Sequence, residues 1–551
     1  MNGKAVFQNR ISRAAALKTA GFVLLMALCV LLVYYWRVFY YLDARGVSAL
    51  PLTAGVCGIA AGLYAAALLC VRLCRGFAPR AALVVFGCGL LFVFANPPMQ
   101  VPDEGQHYLR AYRSSEGVFD FDASRAYPAD VDRLMEAFPG AWVNGHTSAG
   151  TRTNSEGAQE IYDTSGYALK QYGESGEVSG IADGFAAYFS GAAAKAHTAE
   201  PWSFVLLPYL AAAPAMALAR LFGFAALGCL YAGRIANLAV YALLCWAALR
   251  RCQKYRAVFL TVMLLPLSLY MAASLNYDAI LLGCCYFLAT YFFDREIDGK
   301  GLAAFAAVFL LTNAIKPWIN LLWLAALCFI PKSGWKAKCR RWQLAAGCAA
   351  AAVLLSRGID WYGAAFRMNY GVIGRQMEAA DMLGQLKFVL ANPLRYIAVL
   401  AGTLYENNLY LGQMGVFGAL DLPIGFLNLC SPLVLALGCV LAVPRADTVR
   451  LGRAAGIGAY GIVYAAGALT AMYITWTPVG MVRIIGFQAR YLLPVFLLGG
   501  AALSGLLSRL LVPAGGAEKR ENLALGVCGC FAVLGALLLW QHYFIGPVYT
   551  I

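Results

Sequence analysis

Apolar runs long enough to cross a hydrocarbon layer recur along the whole chain, and that repetition limits the fold more than any motif does. A spanning helix needs roughly 20 predominantly apolar residues. Stretches of about that length fall at 20–42, 50–72, 81–95, 224–249, 256–273, 279–293, 301–315, 317–331, 343–357, 424–443, 454–474, 491–509 and 522–542, thirteen in all. Only 13% of the 551 residues are charged, against about a quarter in a soluble domain. The expected fold class is an all-α polytopic membrane protein. The run 20–42 is too long for a signal-peptide core and ends without a small-x-small cleavage site, so it is expected to remain as an anchor.

Charge orients these spans. Residues 96–200 carry 7 Lys/Arg against 15 Asp/Glu, while the rest of the chain carries 36 against 13. Such asymmetry signals membrane topology rather than a nucleic-acid footprint. Lys4, Arg10, Arg13 and Lys18 place the N-terminus in the cytoplasm, and "RLCRGFAPR", "RRCQKYR", "PKSGWKAKCRR", "PRADTVRLGR" and "AEKREN" then fall on the same side. The acidic loop 96–201 falls outside. Counting 202–222 and 394–412 as further spans would carry "RRCQKYR" and "KAKCRR" outward, and the first contains Pro208 and Pro214. Both are therefore expected to be interfacial helices. The organisation is an N-terminal hairpin (1–75), a core (76–510) that includes the outer loop, and a C-terminal helix (511–551). Helices are predicted over 103–115 and 183–197 of the loop, with an irregular middle. None of the 17 cysteines lies in 96–200 or 349–423, the stretches placed outside, so they are packing residues rather than a disulfide framework.

Directly after the span 81–95, "NPPMQVPDEGQHYLRAYRSSEG" concentrates carboxylates, a histidine and arginines. On a helix beginning near Asp103, positions 103, 107 and 110 share a face, so Asp103, His107 and Arg110 project together with Glu104 alongside. Pro-Asp-Glu is also an ordinary helix start, Asp as N-cap and Glu in the first turn. The functional alternative is a carboxylate at the membrane boundary serving as general base or metal ligand. Asn276 and Asp278 in "ASLNYDA" occupy a turn between spans. Lys316 in "NAIKPW" sits at a hairpin mouth, where it can also simply snorkel. Arg483 and Arg490 in "VRIIGFQARYLLP" lie at the outer end of a span, where positive charge is disfavoured, and arginine's fork of donors suits phosphate oxygens. His146 and His197 read as solvated loop residues and His542 as interfacial. Trp36, Tyr40, Tyr41, Trp318 and Trp323 read as interface aromatics.

These motifs carry a resemblance. "NPPMQVPDEGQHYLRAY" resembles the opening signature of a bacterial family of multi-spanning membrane proteins of unknown function, itself similar in layout to the GT-C glycosyltransferase superfamily. "LLPYLAAAPAMALARLFG", "YAGRIANLAVY", "SLNYDAI", "IKPW", "GVFGALDLPI" and "GFQARYLLPV" follow in the family's order over about residues 81–510. The resemblance implies a GT-C-like bundle of about thirteen transmembrane helices with a large first outer loop. It also implies a transferase in the bacterial plasma membrane, with its active site on the outer face. Such an enzyme moves a sugar from a polyprenyl-phosphate donor to a surface glycan, lipid or protein acceptor. By that analogy Asp103 is catalytic with Glu104 beside it, and His107 and Arg110 complete the motif. Asn276, Asp278, Lys316, Arg483, Arg490 and Tyr491 are expected to bind substrate, Lys316 and Arg490 near the donor phosphate. No cofactor is required, and a divalent ion (Mg²⁺ or Mn²⁺) on Asp103, Glu104 and His107 is the one addition the motif allows. Ala489 stands where the family commonly has glycine, and residues 1–75 add a hairpin before its usual first span. The competing expectations are a flippase of lipid-linked glycans, a polysaccharide polymerase or ligase, and a structural membrane subunit in which Asp103 is only a cap.

Overall fold

A computed structural model describes residues 74, 76–119, 125–138, 181–196, 206–317, 319–335, 341–365, 381–418, 422–512 and 515–544, with four short strands between 150 and 179. The expected N-terminal hairpin, His146, His197 and Trp318 lie outside the described residues.

The chain is a helical bundle. Its elements are α1 (Phe77–Ala95), α2 (Glu104–Ser115), α3 (Ala129–Ala137), α4 (Ile181–Phe189), α5 (Ala212–Leu221), α6 (Ala226–Arg251), α7 (Arg256–Leu264), α8 (Pro266–Ala272), α9 (Asp278–Ala289) and α10 (Gly299–Ile315). They continue with α11 (Arg341–Ala365), α12 (Met382–Ala391), α13 (Pro393–Glu406), α14 (Gly425–Leu441), α15 (Leu451–Trp476), α16 (Leu493–Leu507) and α17 (Ala517–Phe544). Two antiparallel hairpins, β1 (Gly150–Thr153) with β2 (Gln159–Tyr162) and β3 (Gln171–Tyr172) with β4 (Val178–Ser179), lie in the middle of the outer loop that was expected to be irregular. A third, β5 (Val416–Phe417) with β6 (Leu422–Pro423), precedes α14.

Every apolar run expected within the described residues is helical, but many are broken or short. Among the described residues, five helices are long and apolar enough to cross a membrane, and six if the bent pair α12–α13 counts as one. Those five fall on five of the eleven expected spans that lie within the described residues; the expected runs 20–42 and 50–72 lie outside them. The run 256–273 divides where Pro266 starts α8, because proline supplies no backbone donor and Leu265 turns to extended geometry. The run 317–331 becomes a 3₁₀ turn, Ile319–Leu324, followed by one short α-turn. The stretches read as interfacial are not straight spans either. Residues 202–222 yield the ten-residue α5, and α12 and α13 meet at 108° before Pro393.

Helix α6 is the hub, packing against α1, α5 and α9. Its approach to α1 depends on a missing side chain: a Cβ at Gly89 would come within 2.3 Å of Leu238 Cδ1. Small residues at helix contacts are how apolar helices gain van der Waals packing in a membrane. The 26 residues of α6 extend about 39 Å at 1.5 Å per residue, and they separate two polar ends. At one, Arg234 near the start of α6 meets Glu104. At the other, Arg251 pairs with Asp294, Arg256 with Glu521 at 3.4 Å and Arg80 with Glu518 at 3.7 Å. There too Arg520 donates to the carbonyls of Leu441 and Val443, which α14 leaves unpaired at its end.

Candidate functional site

The site is built on the connection from α1 to α2. A helix ending at Ala95 and another starting at Glu104 leave eight residues of irregular backbone beside the bundle, and each of their polar groups needs a partner. Arg234 supplies those at the start of the connection. Fully buried on α6, it donates to the carbonyls of Val93 (3.2 Å), Asn96 (2.6 Å) and Pro97 (2.9 Å). The rest of its fork meets both oxygens of the equally buried Glu104, at 2.8 and 2.5 Å. Glu104 Oε1 also accepts the Leu275 backbone N–H at 3.1 Å. One ion pair thus fastens the end of α1, the start of α2 and the turn before α9 to one another.

Further bonds fix the same turn. Asn276 donates to the Pro102 carbonyl at 2.8 Å, and its side-chain oxygen accepts the Asp278 N–H at 2.9 Å. Asn237 donates to the Ser274 carbonyl, and the Tyr270 hydroxyl donates to the Gln100 carbonyl at 3.0 Å. Held this way, Asp103 adopts φ 65°, in the left-handed region. Aspartate tolerates that conformation better than most residues. Strain of this kind persists where surrounding contacts over-determine the backbone. Asp103 occupies the N-cap position of α2, yet its side chain makes no capping bond. The carboxylate is exposed, but so much protein surrounds its recess that desolvation pushes its pKa above the ordinary value; nearby Arg490 and Lys316 oppose the shift and Asp278 adds to it.

Facing Asp103 is a cluster from three other elements. Asp278, at the start of α9, pairs through Oδ2 with Arg490 Nε at 3.2 Å, both side chains being buried. Arg490 Nη2 donates to the Tyr491 hydroxyl at 3.1 Å. Lys316, half-buried at the end of α10, holds its ammonium 4.2 Å from the centre of the Tyr491 ring. Such contacts attract cations to the ring face. No carboxylate lies within ion-pair distance of Lys316 among the described residues. Next to Arg490 a cavity of about 10 Å³, lined also by Pro102, Tyr270, Gln413 and Gln488, has room for about one water molecule. The open side of the cluster is where Asp103 is exposed.

The remaining motif residues sit elsewhere or are already engaged. Glu104 has both oxygens on Arg234, so it is a fastening rather than a second open carboxylate. His107 Nδ1 shares a 2.5 Å hydrogen bond with the Tyr209 hydroxyl, and its ring meets the edge of Tyr277. Burial, reinforced by the charge of Arg490, lowers its pKa to about 3, so the ring is neutral. Arg110 is buried and donates to the Phe119 carbonyl. The three residues expected on one face therefore do not share one open surface: only Asp103 is exposed. The three groups considered for a divalent ion do not converge either, and no group of three or more His, Cys, Asp or Glu side chains could hold a metal ion among the described residues. Arg483 turns to Glu406, at 2.7 Å in an exposed pair. Two residues that sequence reasoning missed are Arg234, a lone charge inside the apolar "YAGRIANLAVY", and Tyr209, in "LLPYLAAAP". An arginine in the middle of an apolar helix must find a partner, and that was the available signal for Arg234.

The model of the family described as "Predicted membrane protein (DUF2142)" matches residues 86–498. The chain belongs to that family. No curated protein and no solved structure matches it. The family's span includes the whole cluster from Asp103 to Tyr491, and it leaves out residues 1–85 and most of the last two helices.

Proposed function

We propose that the protein is a membrane glycosyltransferase of the GT-C type. It moves a sugar from a polyprenyl-phosphate donor to a glycan, lipid or protein acceptor at the outer face of the bacterial plasma membrane. The observation that carries this reading is the juxtaposition, at one end of the bundle, of an exposed and uncommitted carboxylate with two cations that lie beside an aromatic ring. Asp103 faces Arg490 and Lys316, and Tyr491 lies against both cations.

Among the three carboxylates of this region, Glu104 is saturated by Arg234 and Asp278 is held by Arg490. Asp103 alone is exposed, and its raised pKa makes it a stronger base than an ordinary carboxylate. In the proposed reaction Asp103 takes the proton of the acceptor hydroxyl as its oxygen bonds to the anomeric carbon. The bond from that carbon to the phosphate oxygen breaks, and the electron pair leaves with the prenyl phosphate. Lys316 and Arg490 offset the charge gathering on that phosphate. A single displacement inverts the anomeric centre. Glu104 acts as a positioning residue through Arg234 and the turn at Leu275, and no metal enters this scheme. The polyprenyl chain would lie in the lipid, and the sugar would approach from the open side of the recess.

Topology supports the same placement. The far end of the bundle gathers Arg80, Arg251, Arg256, Arg453 and Arg520. Positive charge marks the cytoplasmic side of membrane proteins, which supports an outer-face position for Asp103. The test is transfer of labelled sugar from synthetic polyprenyl-phosphate donors by the purified protein in nanodiscs, with product anomer determined. Inverted product is expected, and a retained anomer contradicts the single displacement. Translocation of donor without transfer would instead favour a flippase.

A further inference from the structure

The end of the bundle opposite Asp103 contains a cavity of about 670 Å³ between the α6–α7 turn, the segment before α10 and the start of α15. Four cations line it, Lys254, Arg295, Arg450 and Arg453, against one carboxylate, Glu296. Lys254, Arg295 and Arg450 are exposed, whereas Tyr255, Val449 and Ile457 are buried. The cavity therefore has a charged rim and an apolar floor.

The cations differ in what they already do. Arg453 is part of the wall: it donates to the Phe292 carbonyl at 3.0 and 2.7 Å and to the Asp294 carbonyl at 2.5 Å. Lys254 donates to the Thr448 carbonyl across the cavity. Arg295 and Arg450 meet no carboxylate among the described residues. Asp294, next to Arg295 in sequence, is taken by Arg251. Burial and the charges of Arg295 and Arg453 push the Lys254 ammonium below its ordinary pKa, although Asp447 opposes them. Like charges gathered around one space repel one another, and a bound anion relieves that repulsion. Arginine forks fit phosphate oxygens with paired bonds, and lysine meets phosphate as a compact charge. Basic pockets between helices on the cytoplasmic side are typical seats for anionic lipid head groups.

We propose that this cavity is a phosphate-binding site in which Arg295, Arg450 and Lys254 receive the phosphate and Arg453 holds the wall in place, the apolar floor favouring the phosphodiester of an anionic membrane lipid over a free phosphate. This inference stands apart from the transferase reading, because it rests on other residues at the other end of the bundle. Binding is measured by native mass spectrometry of the full-length protein in detergent, offered phosphatidylglycerol, zwitterionic phosphatidylcholine or inorganic phosphate. The wild type is compared with the double variant Arg295→Gln/Arg450→Gln and with Arg445→Gln, an exposed cation nearby that does not line the cavity. Phosphatidylglycerol should be retained over phosphatidylcholine, and the double variant should weaken that retention at least about tenfold, the scale expected from losing two charge-assisted contacts. Arg445→Gln should leave it unchanged. Variant-sensitive binding of inorganic phosphate without lipid selectivity upholds the phosphate site and assigns it a soluble source. Equal retention of the two lipids with no phosphate binding overturns the proposal. So does a double variant that binds as the wild type does, or an Arg445→Gln variant that loses binding to the same degree.

Discussion

Glu104→Gln removes one charge and changes almost no volume, so it isolates what the ion pair with Arg234 does. Both side chains are fully buried, and the guanidinium is shared between the two carboxylate oxygens and three carbonyls that no other described side chain satisfies. Withdrawing one partner of a buried pair leaves an uncompensated charge, at a cost of about 3–5 kcal/mol. The exposed pair of Arg483 with Glu406 is the internal reference, because such pairs contribute about 0.2–1 kcal/mol. Thermal unfolding of Glu104→Gln and Glu406→Gln in the same detergent should therefore separate clearly, the first variant melting well below wild type and the second close to it. The double variant Glu104→Gln/Arg234→Met should recover part of the loss, since it removes the stranded charge as well. Transfer activity should fall with stability in Glu104→Gln, because the turn at Leu275 and the backbone of Asp103 lose their shared anchor. Equal melting temperatures for the two single variants would refute the claim that this pair builds the site.

Other consequences follow from the same contacts. Ionised Asp103 is disfavoured in the fold, since its pKa is raised; its contribution to stability is full at low pH and fades as pH rises through that value. Asp103→Asn should therefore melt at or above wild type at neutral pH, asparagine also tolerating the left-handed backbone, and a large drop in melting temperature would contradict this. His107, neutral with a pKa near 3 in the fold against about 6.5 when unfolded, contributes stability above pH 6.5 that is lost as pH falls toward 3. A His107→Gln variant should show a shallower acid limb in pH-dependent melting. Lys316→Gln should weaken donor binding by roughly tenfold through loss of one charge-assisted contact, read as a rise in donor KM, whereas Arg483→Gln should leave both KM and kcat near wild type.

The helical membrane class and the positions of the apolar elements were legible because they rest on composition and run length. Continuity was not. Pro266 converts a run that counts as one span, 256–273, into a pair of short helices, and whether a proline kinks a helix or ends it depends on tertiary packing. The helix α3 was missed because it is only nine residues long and three of them are acidic, although Val131, Leu134 and Met135 mark an i, i+3, i+4 stripe. At the site, charge at a boundary picked out Asp103, Asp278, Lys316 and Arg490, and the resemblance added Tyr491; the fold brings them together from four separate segments. The same rule could not rank Asp103 against Glu104. Adjacent residues at a helix start look alike in sequence, and only the position of Arg234, more than a hundred residues away, decides which carboxylate is buried. His107 and Arg110 were grouped with Asp103 by helical spacing, but spacing does not show burial: His107 is held by Tyr209 and Arg110 by the Phe119 carbonyl, and only Asp103 is exposed.

The most direct test of the account is sugar transfer by Asp103→Asn in nanodiscs, measured beside donor binding and thermal unfolding of the same preparation. The account predicts a loss of about 10²–10⁴ in rate, with the donor still bound and the melting temperature unchanged or higher. Transfer at the wild-type rate by the variant would contradict it, and would reduce Asp103 to the residue that begins a helix.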